Sequence, residues 1–402
     1  MQATQEQHDI VVAVNTKENL LVSALAGTGK TTTLRLIAEA YPDRKVLYLA
    51  YNKNMQLDAR KIFPDHVNCK TIHALAYQEV GHQYQDKLSS KLQASDVAQA
   101  FGIQPLVQKK FFASSLMIAA SAIEMIRVFC YSIEEKISPQ HYSRYHVAQL
   151  KNKYKKTPFN LERILSPKTF LERFVYQSMM YAQKLWKEMI CLDSRKIPIT
   201  HDVYLKLYQL SHPRIPNVDC IMLDEAQDAN PVILHILDNQ DVQKIYVGDT
   251  HQQIYGYRGT TDAMESIDGK QLYLTQSFRF GHAIAEEANT VLQKLKAVRM
   301  IQGNSQINSQ IQFVDTTKPY TFISRTNAGI FEEILALSKQ DKKVCFVGNI
   351  EQVLALFQSA YFLFKSELSK VIDHGLKKFA EWKQFKAEAI QTLDQEYKAL
   401  VR

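Results

Sequence analysis

The sequence predicts an α/β protein built on a parallel, doubly wound sheet, interrupted by a helical insertion and followed by a second α/β unit. Three observations lead there. Short apolar runs alternate with helical patterns over residues 1–80 and again over about 200–300. A glycine-bearing loop joins the first run to the first of those helices. Polar clusters then follow several later runs directly, at the strand ends where α/β sheets hold their ligands.

Leu20–Leu25 and Val46–Tyr51 read as strands, with a helix between them and another from about Met55 to Ile62. Strand, helix, strand at this spacing is a βαβ unit. From about 81 to 199 strand signals fade and amphipathic stretches such as Phe112–Phe129 and Lys168–Ile190 predict helices. The strand pattern returns at Val218–Leu223, Lys244–Val247 and Gln271–Leu274, followed by a helix from about Ala283 to Leu295. Gly303-Asn304-Ser305-Gln306 reads as a linker. Beyond it Ile311–Val314, Tyr320–Ser324 and Val344–Val347 predict strands of a second unit, and about Val353–Arg402 predicts helix. The expected boundaries are therefore 1–80 with 200–300, 81–199, and 301–402.

Bulk properties narrow the class. With 46% hydrophobic and 22% charged residues over 402 positions, the chain reads as globular rather than disordered. A net charge of +8 favours a polyanionic partner. The five cysteines are scattered without metal-ligand spacing, which suits a reducing cytoplasm, and no apolar run is long enough to predict a membrane span. Lys151–Lys187 carries nine lysines and arginines against two acids, interleaved with aromatics. Two readings stand: a surface that follows a nucleic-acid backbone, or helix core with a solvated lysine face.

The loop Ser23–Thr32 carries the first chemistry. Gly27 and Gly29 let backbone N–H groups close around phosphate oxygens without interference from a Cβ. Lys30 puts a point charge beside the β- and γ-phosphates, and the Thr31 hydroxyl suits Mg²⁺. Ala26, Thr28 and Thr32 complete the loop, while Ala24 stands where the strict phosphate-loop pattern has its first glycine. Asp224, at the end of an apolar run, is placed to hold the metal opposite Thr31, and the adjacent Glu225 to deprotonate an attacking water. Two further clusters, Gly248–Gly259 and Thr275–Arg279, also follow strands.

In this order the clusters resemble the motifs of the UvrD/Rep-type superfamily 1 DNA helicases, within them the branch of the F-box DNA helicase and its bacterial relatives. The likeness runs from Gln7 to about Leu335. It implies a RecA-like first domain (1A: 1–80 and 200–300), a helical insertion (1B: 81–199) and part of a second RecA-like domain (2A: 301–402). It implies ATP and Mg²⁺ as cofactors, single-stranded DNA and single/double-strand junctions as partners, and no membrane. It also implies the bacterial cytosol or nucleoid as the compartment.

Residue by residue, the resemblance assigns Gln7 to the adenine edge, Phe278 to the adenine ring, and Arg279 to the γ-phosphate. Gln252 would sense that phosphate and couple it to DNA. Tyr255, Tyr257 and Arg258 fall on the DNA-stacking segment. Tyr51, Asn52 and His73 fall on two short motifs lining the strand path, though Tyr51 and His73 read equally as core residues.

The Thr-x-His-x-x-Lys-Gly and Thr-Arg-Ala segments of relatives are not found over 336–402. The expectation is a chain that stops short of the full second domain, and one that starts almost at its first motif, without an F-box. Loss of a second arginine would slow hydrolysis by roughly 10³–10⁵-fold. The leading function is an ATP-dependent helicase moving 3′ to 5′. The alternatives are an ATP-gated single-strand-binding protein without turnover and a small-molecule phosphoryl-transfer enzyme, the last leaving residues 252–258 unexplained. If Tyr257 stacks on a base, Tyr257→Ala weakens single-strand affinity by about 1–3 kcal/mol in a salt-matched titration.

Overall fold

The structure is a computed structural model. It describes residues 3–89, 92–155, 157–253, 264, 267–324, 327–340, 342–347, 350–373, 375–377, 379–391, 397, 400 and 401, without the side chains of 327, 328, 331, 335, 352 and 391. The chain divides into two compact units, the first made of 1–92, 124–142 and 182–312, the second of 93–123, 143–181 and 313–402.

The first unit is a six-stranded, all-parallel sheet. Its strands are β1 (Leu20–Ala24), β2 (Val46–Ala50), β3 (Val67–Thr71), β6 (Cys220–Asp224), β7 (Gln243–Gly248) and β8 (Lys270–Leu274), in the spatial order β3-β2-β6-β7-β1-β8. The strands β2, β6 and β7 are buried at every position, as near-continuous apolar runs require when helices cover both faces. One face packs Ile10, Val14, Leu34 and Ile37 against Leu20, Val22, Met222 and Val247. The strand β3, unread in the sequence, lies at the edge and alternates, burying Val67 and Cys69 while exposing Asn68.

Register decides where the site falls. Ser23 lies opposite Gly248, Ala24 opposite Leu274, Asp224 opposite Val247, and Leu49 opposite Leu223. The polar clusters therefore leave the sheet along one carboxyl edge. Residues 303–306 are not a linker. Gln302 N–H donates to Thr275 O at 2.9 Å and Asn304 N–H to Phe280 O at 2.8 Å, fastening this stretch beside the end of β8.

In the second unit Leu106–Gln108 (β4) and Phe111–Ala113 (β5) form an antiparallel hairpin with a two-residue turn in which Lys109 takes φ 53°. The expected helix from Phe112 therefore starts at Ser115. Tyr154 O–H donates to Phe112 O at 3.1 Å and accepts from its N–H at 3.0 Å, while Phe111 stacks on Phe170. These aromatics of the basic stretch are thus packing groups, whereas Lys151, Lys153 and Lys155 face solvent.

Ile311–Val314, Tyr320–Ser324 and Val344–Val347 form no strand among the described residues. A strand needs a hydrogen-bonding neighbour, and β-propensity alone supplies none. These runs leave Phe313, Ile323 and Val347 almost fully exposed. Among the described residues the C-terminal stretch holds the α-helices Ile350–Phe364 and Trp382–Gln391, with a break after Lys365, where Ser366 adopts φ 61°. No helix among the described residues is long and apolar enough to cross a membrane.

Lys206 is fully buried in the first unit, donating to Ser132 O and Gln209 Oε1 at 2.7 Å each, with its ammonium 4.7 Å from the Phe129 ring centre. Burial lowers its pKa from 10.5 to about 8. Below about pH 8 folded and unfolded chains both carry this proton and the penalty is complete. Between pH 8 and 10.5 the folded chain sheds its proton first, so this residue's contribution to stability rises by up to about 3 kcal/mol. Buried Cys69, Cys130 and Cys220 titrate in the opposite sense above pH 9, so the readout is the difference in unfolding free energy between wild type and Lys206→Met, which should move in favour of the wild type across that range.

Candidate nucleotide site

The loop after β1 turns through two left-handed glycines, Gly27 at φ 74° and Gly29 at φ 81°, and Gly29 caps the helix Lys30–Ala40. A Cβ on Gly27 would meet Ser277 Oγ at 2.8 Å and Arg279 Cγ at 2.9 Å. One on Gly29 would lie 3.2 Å from Gln7 Nε2 and 3.3 Å from Phe278 Cε2. The glycines thus provide the turn and also the room in which Gln7, Phe278 and Arg279 approach the loop. Phe278 N–H donates to Gly27 O at 2.8 Å, holding the segment after β8 against it. The Thr28 hydroxyl donates inward to Leu25 O at 2.8 Å, Ala26 is half-buried and Thr32 faces solvent on the first helical turn.

Lys30 Nζ lies 2.6 Å from Glu225 Oε2, joining residues 195 positions apart. Glu225 adopts φ 52° and ψ 44°, a conformation that disfavours any residue with a Cβ and persists here at the strand end. Asp224 beside it is buried, accepting from Tyr48 O–H at 2.7 Å and Thr31 O–H at 3.3 Å on Oδ2, and from Glu225 N–H at 2.9 Å on Oδ1. Burial raises the Asp224 pKa despite the Tyr48 hydrogen bond, and burial raises that of Tyr48 in turn. An anion this poorly solvated, with a threonine hydroxyl beside it at the mouth of a phosphate-shaped loop, fits a divalent cation.

Gln7 sits in a capping box, its Oε1 accepting from Thr4 N–H at 3.1 Å and its Nε2 donating to Thr33 Oγ1 at 3.0 Å. Each end of its amide keeps one valence, an acceptor and a donor, the pair that the N6/N7 edge of adenine matches. Glu6 fastens the same helix to the end of β8, accepting from Thr275 N–H at 2.8 Å and Thr275 O–H at 2.6 Å. Arg279 is exposed at the loop, and no ion pair engages it among the described residues.

Gln252 lies after β7 and donates from Nε2 to Asp249 Oδ2 at 2.6 Å. Tyr51 and His73 follow β2 and β3 at the same edge and are half-exposed. His73 Nε2 lies 3.7 Å from Asp202, while Asn52 caps the helix Lys53–Ile62 through Met55 N–H. Tyr255, Tyr257 and Arg258 lie outside the described residues. Sequence reasoning missed Tyr48, Thr33, Gln227 and Asp249; Tyr48 alone left a sign, a polar tip within the apolar run of β2.

A parallel sheet with a glycine loop on β1, an acidic pair on β6 and polar turns on β7 and β8 defines a RecA-like, phosphate-loop nucleotide-binding domain. Residues 3–267 match the family model of the UvrD/REP helicase N-terminal domain, and the chain belongs to this family. It is 33% identical over 338 residues to F-box DNA helicase 1 of Gallus gallus, covering 82% of this chain and 31% of that protein. With F-box DNA helicase protein 1 of Schizosaccharomyces pombe it shares 29% identity over 435 residues, covering 98% and 46%. The putative ATP-dependent DNA helicase YjcD of Bacillus subtilis matches at 29% over 174 residues. The chain spans about a third to a half of the length of the two F-box relatives. Helicases of this family use ATP with a divalent metal.

The Tyr48–Asp224 contact gives a direct test. Tyr48→Phe removes the donor from a buried carboxylate and should cost about 1–3 kcal/mol in urea-induced unfolding at pH 7.

Proposed function

We propose that this chain binds ATP at the carboxyl edge of its sheet and couples hydrolysis to movement along single-stranded DNA. The polarity is 3′ to 5′, the substrates are single strands and single/double-strand junctions, and the setting is repair or recombination in the cytosol. The first RecA-like domain comprises 1–80 and 200–300, the insertion 81–199, and part of a second RecA-like domain 301–402. The observation that carries the reading is the 2.6 Å approach of Lys30 to Glu225, two residues brought together by β1 and β6 running parallel on either side of β7 in one sheet.

Each residue has a stated task. The loop amides and Lys30 bind the phosphates. Gln7 orients the base by its edge and Phe278 by its face. Thr31 and Asp224 would hold Mg²⁺, which supplies charge neutralisation to the β- and γ-phosphates when bound. Glu225, released from Lys30 as that lysine turns to phosphate, accepts the proton of the attacking water. Arg279 offers its guanidinium to charge developing on the γ-phosphate. Gln252, after β7, leads the chain into the segment of Tyr255, Tyr257 and Arg258, on which bases would stack.

Glu225→Gln should bind ATP with wild-type affinity and lose roughly 10²–10⁴-fold in DNA-stimulated turnover, measured as phosphate release against single-stranded DNA concentration. A wild type that binds ATP and never turns it over, with or without DNA, would refute the motor reading and leave a binding module.

A further inference from the structure

One buried side chain ties together two parts of the site with different tasks. Gln227 is 3% exposed and sits two residues beyond Glu225. Its Nε2 donates to Glu225 Oε2 at 2.8 Å, the same oxygen that meets Lys30. Its Oε1 accepts from the backbone N–H of Asp249 at 2.9 Å. The Asp249 carboxylate in turn accepts from His251 N–H at 3.0 Å and from Gln252 Nε2 at 2.6 Å. Gln253 Nε2 returns to Gln227 O at 3.3 Å.

Room for this bridge is built in at Gly248, where a Cβ would stand 2.5 Å from Gln227 Oε1 and 3.0 Å from its backbone nitrogen. An amide can donate to a carboxylate with one end and accept a backbone N–H with the other in a single fixed plane. A carboxylate here could accept only, and a lysine could donate only.

We infer that Gln227 is a positioning residue that makes the orientation of the Glu225 carboxylate depend on the turn after β7. The turn carries Gln252 and continues into the proposed DNA-stacking segment, so the bridge is the connection by which DNA engagement sets the hydrolytic carboxylate. The coupling to DNA rests on the motor reading above; the bridge itself does not. Displacing Asp249 N–H withdraws the donor to Gln227 Oε1 that fixes the amide plane, and the amide then ceases to hold Glu225 Oε2.

The test compares Gln227→Leu and Gln227→Glu with wild type. The first removes both hydrogen bonds; the second keeps an acceptor for Asp249 N–H but sets a second carboxylate against Glu225 in place of the donor, so it retains the contact to the turn while breaking the hold on Glu225. Both should lower the ratio of DNA-stimulated to DNA-free kcat at least tenfold, with KM for ATP within threefold of wild type. Equal loss in both rates, or an unchanged ratio, overturns the coupling.

Amide hydrogen exchange over residues 249–252 without DNA supplies a second readout. Glu225→Ala should speed exchange there at least fivefold in the wild type and have no such effect in the Gln227→Glu background. Additive effects would overturn the bridge. A wild type without DNA-stimulated turnover but with non-additive exchange would sink the motor reading and keep the bridge.

Discussion

The site depends on a carboxylate held at the end of a strand where water cannot reach it. Asp224 is costly to bury, and three protein donors, from Tyr48, Thr31 and the Glu225 amide, offset only part of that cost. The uncompensated remainder is useful, because a cation at Thr31 would find an anion whose solvation has already been surrendered. The same strand end forces Glu225 into a left-handed turn, and that turn delivers its carboxylate to Lys30. Stability lost at one residue thus positions the next.

Around this carboxylate the sheet works as a spacer. Strands fixed about 4.8 Å apart allow little drift of groups attached to their ends. The phosphate loop, acidic pair and Asp249 turn leave β1, β6 and β7, three adjacent strands. Gln7 and Phe278, which approach the loop at Gly29, come from outside this trio. Gln7 is tied to the helix after β1 by its bond to Thr33, its own helix is clamped to the end of β8 through Glu6 and Thr275, and Phe278 is held to the loop by its hydrogen bond to Gly27.

The sequence made the backbone of this arrangement legible where chemistry and periodicity coincided. The β1 run, the two glycines and Lys30 are neighbours in the chain, as are Asp224 and Glu225 at the end of their own apolar run, and within each group local order carries the meaning. Tyr48 showed only as a polar tip in an apolar run and Gln227 not at all, since the distant partner of each lies 176 or 22 positions away. The strand β3 escaped notice because an edge strand buries only alternate residues and Asn68 breaks its apolar run. In the opposite direction, the apolar runs between 311 and 347 promised strands that the described backbone does not pair. Hydrophobicity says which side chains favour a sheet, and only topology says whether a neighbour exists.

The order of strands has a bearing on biosynthesis. The strand β1 lies between β7 and β8, so both of its neighbours are made more than two hundred residues after it. A ribosome that has released the glycine loop has released a strand with nothing to pair with, and most of the polypeptide must emerge before that strand is enclosed. Such late long-range pairing slows folding and leaves an apolar ribbon open to other chains in the interval. The first strand is therefore enclosed on both sides only after Leu274 has cleared the exit tunnel.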